Sequence, residues 1–181
     1  MKKKLNLLLS SLVVLFFFTD CVKDTDFDQA EDIALTPIVE LNLIHFDVGA
    51  DSFYDETTST EILTIRDTTE IRFLDDEDIQ ESLISAEFYF KFTNSIPRNF
   101  LVDFQFLSEM NDTTYVTQTP VSQGTIQEPV ITEFVETVAG DGIIELTKAN
   151  KVVVSVTIPS ADESLEGNLN LQSKTTYILE F

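Results

Sequence analysis

The chain has 181 residues, 43% of them hydrophobic and 24% charged, with 32 acidic against 11 basic side chains and a formal net charge of −21. That composition suits one folded domain with its own core, and so acidic a surface repels phosphate backbones, which excludes nucleic acid as a partner. A single cysteine, a single histidine (His45) and no tryptophan rule out an internal disulfide and leave histidine triads and multi-histidine metal sites without their imidazoles.

The first element is a leader. Lys2, Lys3 and Lys4 precede an apolar run from Leu5 to Phe18, broken only by Asn6, Ser10 and Ser11. As a helix its residues would cover about 21 Å, short of the ~30 Å hydrocarbon core. Residues 1–20 are therefore expected to be a signal peptide rather than an anchor. Losing them removes Lys2, Lys3, Lys4 and Asp20, which brings the net charge to −23. No later stretch is apolar for long enough to span a membrane as a helix.

Phe18-Thr19-Asp20-Cys21 resembles the lipobox of bacterial lipoproteins, in which the cysteine after the leader is lipidated and becomes the new N-terminus. Asp20 stands where that family usually has Gly, Ala or Ser, and the resemblance covers only the leader and the first residues after it. It implies that Cys21 carries a diacylglycerol and an N-acyl chain such as palmitate. One acyl chain binds a membrane marginally and two or more hold it stably. Residues 21–32 would then be an acidic tether, Val22 to Asp32 reaching at most ~36–40 Å. Lys23 followed by Asp24, Asp26 and Asp28 is similar to the short signals that direct some Gram-negative lipoproteins to the outer face of the outer membrane. The implied location is the outer membrane, on the cell surface or otherwise on the periplasmic face. Asp24, Asp26 and Asp28 also match the first three ligand positions of an EF-hand loop. Gln29 replaces its glycine and Leu35 its final glutamate, so an EF-hand is rejected.

Residues 33–181 alternate in twos. Val39, Leu41 and Leu43 share one face of a first strand. Ile62–Arg66 and Thr69–Leu74 read as two strands turning near Asp67-Thr68. Ala86, Phe88, Phe90 and Phe92 line one face of the next strand, and Phe100, Val102, Phe104 and Phe106 line one face of another. TNSIPRN lies between, with Pro97 barred from a central ladder, so the pair is expected as an antiparallel hairpin with a phenylalanine-lined face. PVITEFVETVAG has proline and glycine at helix-like ends, but its β-branched content favours a strand. Val152, Val154, Val156 and Ile158 form one face of a strand ended by Pro159. Thr175, Tyr177, Leu179 and Phe181 alternate to the last residue of the sequence. Seven to nine such strands predict an all-β fold, an antiparallel two-sheet β-sandwich, with an Ig-like topology as one arrangement.

No G-x-S-x-G, Walker A, G-x-G-x-x-G, H-E-x-x-H or C-x-x-C is present, so no catalytic residue is assigned. Asp47, Asp51, Asp55 and Glu56 around Gly49, and the run Asp75, Asp76, Glu77 and Asp78, are the candidate metal ligands; oxygen-only clusters of this kind would take Ca²⁺. Phe53, Tyr54, Tyr89 and Tyr115 are the aromatics outside the core pattern that could face a glycan. Asp67-Thr68-Thr69 and Asp112-Thr113-Thr114 resemble the Asp-Thr/Ser-x acceptor of bacterial O-glycosylation, making Thr68 and Thr113 candidate glycosylation sites; Asp-Thr is also good turn chemistry. The expected function is a non-catalytic binding or accessory module, lipid-anchored in the envelope, with an envelope protein or glycan as partner. The rivals are a calcium-assisted envelope hydrolase using loop carboxylates and a purely structural envelope protein.

Overall fold

The structure, a computed structural model, describes residues 34–181. Cys21, Lys23, Asp24, Asp26 and Asp28 lie outside the described residues. The strands are β1 (Ile38–Gly49), β2 (Tyr54–Asp55), β3 (Thr60–Glu61), β4 (Thr64–Glu70), β5 (Leu83–Asn94), β6 (Phe100–Leu107), β7 (Thr113–Val121), β8 (Val130–Ala139), β9 (Lys151–Thr157) and β10 (Asn168–Leu179). Two short helices, α1 (Glu77–Ser82) and α2 (Asp141–Leu146), and two 3₁₀ turns, Ala50–Phe53 and Arg72–Asp75, fill the connections.

The strands build two four-stranded sheets, β1-β10-β5-β8 and β4-β9-β6-β7, antiparallel at every pairing. β2 and β3 make a separate two-stranded ladder. The all-β two-sheet sandwich is thus the fold. Its winding is that of a jelly roll. An Ig sheet pairs the first two strands of the chain, whereas β1 and β4 lie in opposite sheets here.

The inward rows follow the alternation in the sequence. Ala86, Phe88, Phe90 and Phe92 of β5 are fully buried, as are Val102, Phe104 and Phe106 of β6 and Val152 of β9. Each such phenylalanine stabilises the fold by roughly 1.5–3 kcal/mol relative to an exposed one. The expected β5–β6 hairpin does not form. β5 pairs with β10 and β8, β6 pairs with β9 and β7, and the two phenylalanine rows face each other from opposite sheets. Phe90 stacks on Phe104 with ring centroids 4.0 Å apart, and Phe88 meets Phe106 at 5.0 Å. The physical reason is layering: a hairpin would put both rows on one face of one sheet and leave that face in need of a second layer.

The corner between the two strands is held by Asn94. Its Nδ2 donates to the carbonyls of Arg98 and Ser122, each at 2.9 Å, and its Oδ1 accepts from the Ile96 N–H at 2.8 Å. Ile96 is fully buried beneath the corner. Gly167, at φ +107°, lies so close that a Cβ there would stand 2.4 Å from the Ser95 carbonyl oxygen, so only glycine fits both the conformation and the space.

Three local expectations are corrected. Residues 64–70 run straight through Asp67-Thr68 as one strand in continuous register with β9, and 72–75 form a 3₁₀ turn; on an edge strand Asp67 and Thr68 tolerate the ladder because both side chains are exposed. In β1, a bulge between Asn42 and His45 reverses the inward parity: Val39 and Leu43 pack on the core before it and Ile44, Phe46 and Val48 after it, with Leu41 left exposed on the first of these faces. The buried Ser173 hydroxyl saturates that bulge: it accepts from the Ile44 N–H at 2.9 Å and donates to the Ile44 carbonyl at 2.8 Å. Finally, Phe181 follows the end of β10 and is exposed, unlike Thr175, Tyr177 and Leu179. The PVITEFVETVAG segment is strand β8, as its β-branched content indicates.

Candidate ligand cleft

The acidic loops use several of their carboxylates locally. Asp47 accepts from Asn168 Nδ2 at 2.7 Å. Asp51 packs so tightly on Gly49 that a Cβ at 49 would meet its Oδ1 at 2.4 Å. Asp55 closes a turn by accepting from the Thr57 and Thr58 N–H groups at 2.8 and 3.3 Å. Bonds from the Thr58 side chain and from the Thr57 and Thr58 backbone hold its carboxyl below the usual range. Glu56 is exposed in the same turn. Asp76 caps α1, accepting from Asp78 and Ile79 N–H at 3.0 and 3.3 Å, and Asp78 lies exposed in the first turn. Among the described residues no group of three or more His, Cys, Asp or Glu side chains converges as a metal site would require.

Of the aromatics considered outside the core, Phe53 is fully buried, its ring 5.5 Å from Phe100; the apolar 3₁₀ turn tucks it inward. Tyr54 is half-buried in β2. Tyr89 lies on the outer face of its sheet and donates to Glu133 at 2.7 Å. Tyr115 packs on Phe106 and donates to Glu136, linking β7 to β8. Thr68 is exposed in the middle of β4, so the turn expected at Asp67-Thr68 is absent. Thr113 opens β7, exposed, with its hydroxyl accepting from Gln105 Nε2 at 2.8 Å.

Two adjoining cavities open at one end of the sandwich. The Arg72–Asp75 turn, Gln80 of α1, Glu109 of the β6–β7 loop and the segment after α2 surround these cavities, of about 430 and 370 Å³, which share Asp75, Glu109 and Asn150 as lining residues. Asn150 joins these segments. Its N–H donates to the Leu107 carbonyl at 3.0 Å, and its own carbonyl accepts from the Ile71 N–H at 2.7 Å. Its side-chain Oδ1 is buried without a hydrogen-bond partner, a state that costs about 1–3 kcal/mol unless a ligand or water completes it.

The charge of this cleft sets it apart from the rest of the surface. Residues 34–181 carry seven basic side chains, Arg66, Arg72, Lys91, Arg98, Lys148, Lys151 and Lys174. Three of them line it, Lys148 in the first cavity and Arg72 and Lys151 in the second, beside the carboxylates of Glu70, Asp75 and Glu109. Arg72 pairs with Glu70 at 2.9 Å and Lys148 with Glu145 at 2.6 Å, while Lys151 donates to the Asn111 side chain. Exposed pairs of this kind are worth at most about 1 kcal/mol, so a ligand can displace them. The sequence pattern missed this trio because the three cations come from separate segments. The signal available was scarcity: few cations in so acidic a chain make any grouping of them informative.

Among the other cavities, one of about 100 Å³ lies between β1, the segment Glu70–Phe73 and β10. The Thr175 Oγ1 at its wall is buried and unpaired. Tyr177 beside it is 1% exposed and stacks on Phe73 at 4.6 Å.

No family model matches the chain, and no curated protein matches it. Among solved structures it is similar to a protein of Parabacteroides distasonis inferred to be secreted, at 14% identity and a TM-score of 0.47 over 63% of this chain and 37% of that one. It is also similar to the VP2 subviral particle protein of infectious bursal disease virus, at 8% identity and a TM-score of 0.45 over 79% and 32%. A third likeness is to the enzymatically active domain of tailspike protein 4 of bacteriophage CBA120, at 13% identity and a TM-score of 0.40 over 79% and 19%. The chain spans about a third or less of the length of these three structures.

Burial pushes the Tyr177 phenol from its usual 10 up to about 12. The folded state therefore favours the neutral phenol. Its contribution to stability is full below pH 10 and is lost as pH rises from 10 to about 12. Denaturant unfolding measured across that window is expected to show stability falling with pH, and Tyr177→Phe to reduce the slope. An unchanged slope would mean Tyr177 is not buried as described.

Proposed function

We propose that the chain is a non-catalytic, lipid-anchored binding module of the cell envelope, held in the outer membrane through Cys21 with its acidic tether outward. The cleft of Arg72, Lys148 and Lys151 is its ligand site. The observation that carries the binding reading is that three of the seven cations of residues 34–181 line two adjoining cavities, Lys148 one and Arg72 and Lys151 the other, which meet at the unpaired Asn150 Oδ1. Such a lining offers ammonium and guanidinium groups to carboxylates, and carboxylate and carboxamide oxygens to hydroxyls. It fits an envelope glycan bearing acidic sugars better than a neutral or a purely apolar ligand.

A calcium-assisted hydrolase is the second reading, because Asp75 and Glu109 line the same cavity. Lys148 at the first cavity and Arg72 and Lys151 at the second weaken the pull of these carboxylates on a divalent ion, and among the described residues no three acids converge as a metal site would require. Calcium in the millimolar range is expected to leave the melting temperature unmoved; an upward shift would favour this reading instead.

Two experiments test the proposal separately. Replacing Cys21 by Ser should release the protein from the membrane pellet into the soluble fraction, and retention in the pellet would overturn the anchor. Titration with oligogalacturonate, a chain of acidic sugars, should show binding that a Lys148→Ala/Lys151→Ala double variant weakens by about tenfold, with each lost charge-assisted hydrogen bond costing about 1.5 kcal/mol or less after screening. Equal affinity for a neutral oligosaccharide, or no effect of the double variant, would contradict the site.

A further inference from the structure

Four strands form the edges of the two sheets: β1 and β8 in one, β4 and β7 in the other. An edge strand presents unpaired backbone groups to any passing strand, and proteins normally blunt it. β1 is interrupted by its bulge between Asn42 and His45. β4 is seven residues long and carries Arg66, Asp67 and Glu70, and the Asp67 carboxylate takes the Thr68 N–H at 2.8 Å. β7 has a register shift opposite Phe106 and Leu107, and Pro120 has no N–H to offer.

Of these devices β8 has only two charged side chains, Glu133 and Glu136. Its ten residues, VITEFVETVA, contain no proline, glycine or basic residue. They pair with β5 in unbroken register, from Ser85↔Ala139 to Asn94↔Val130. Among the described residues no other backbone group bonds to its backbone. β7 reaches it only at side chains, through Tyr115 to Glu136, and the Ser122 N–H that follows β7 reaches the Thr132 hydroxyl at 3.3 Å. On its outward face Ile131 is 57% and Val135 50% exposed.

We infer that the free edge of β8 is a docking site for an extended, basic strand of a partner protein, added by β-strand pairing. Backbone bonds to the open edge would supply affinity. Side chains opposite Ile131 and Val135 would be apolar, and those opposite Glu133 and Glu136 would be lysine or arginine. Both carboxylates are held in place by tyrosines, Glu133 by Tyr89 and Glu136 by Tyr115. Charge decides against a second copy of this chain as the occupant. The only charges on β8 are these two carboxylates, and each copy carries −21 overall, so self-pairing would gather four carboxylates with no cation to offset them.

The test uses the full chain in detergent micelles and a synthetic ten-residue peptide that alternates valine and threonine, with two lysines placed to face Glu133 and Glu136. Backbone amide exchange is read with and without the peptide. Slowed exchange confined to residues 131–137 is expected. The same peptide with two glutamates should bind at least about tenfold more weakly, two cross-strand charge pairs being reversed. Val135→Lys, at an exposed outward position, should leave the melting temperature unchanged and weaken the lysine peptide to a similar degree. Absence of binding, protection at another edge, equal affinity for the two peptides, or self-association that Val135→Lys abolishes would each overturn the proposal.

Discussion

The structure depends on the meeting of two rows of phenylalanine across the sandwich. Phe88, Phe90 and Phe92 come from one sheet and Phe104 and Phe106 from the other, with Phe90 and Phe104 stacked at 4.0 Å. Phe134 of β8 extends the stack at 6.0 Å from Phe90, and Tyr115 of β7 packs on Phe106 at 5.9 Å. Offset and tilted aromatic pairs of this kind add about 0.5–1.5 kcal/mol each beyond their burial. Two sequential strands carrying such rows must lie in opposite layers, and that single constraint requires a corner between them. Asn94, the buried Ile96 and Gly167 build the corner, and β10, β8, β9 and β7 then flank the two central strands in jelly-roll order.

The same winding carries the β4–α1, β6–β7 and α2–β9 connections to one end of the molecule, where Asn150 bonds to Ile71 and Leu107 and the cleft opens. In a chain of −21 the placement of cations is itself information. The cleft differs from the rest of the surface in that its three cations balance the carboxylates of Glu70, Asp75 and Glu109, which is why the proposed ligand is one that carries both carboxylates and hydroxyls. The proposed β8 edge works in the opposite sense, offering carboxylates without cations to a basic strand. The proposed glycan cleft and the proposed edge for a basic protein segment are compatible on one module because different elements build them.

Where burial follows strict alternation, the sequence was readable. Residues 86–92, 100–106 and 152–158 show their inward faces without ambiguity, and the two-sheet sandwich follows from their number. Pairing was not readable. A hairpin and a corner put Phe90 and Phe104 close together with the same parity, so the alternation cannot choose between them. The β1 bulge escaped because one extra residue reverses parity with no local composition signal, and its saturating partner, Ser173, lies far along the chain. Asp67-Thr68 looked like a turn because turn chemistry and exposed edge-strand chemistry use the same residues. Of the acidic candidates, Asp55 and Asp76 are turn and helix-cap acceptors, roles that pattern alone does not separate from metal ligation.

The central claim is that β5 and β6 face each other from different sheets. Nuclear Overhauser contacts in the labelled protein test it most directly. The account predicts backbone contacts from Phe90 to Ser173 on one side and to Phe134 on the other, with only ring contacts between Phe90 and Phe104. Backbone-to-backbone contacts between β5 and β6 would contradict it, restoring a hairpin and removing the corner on which the rest of the winding depends.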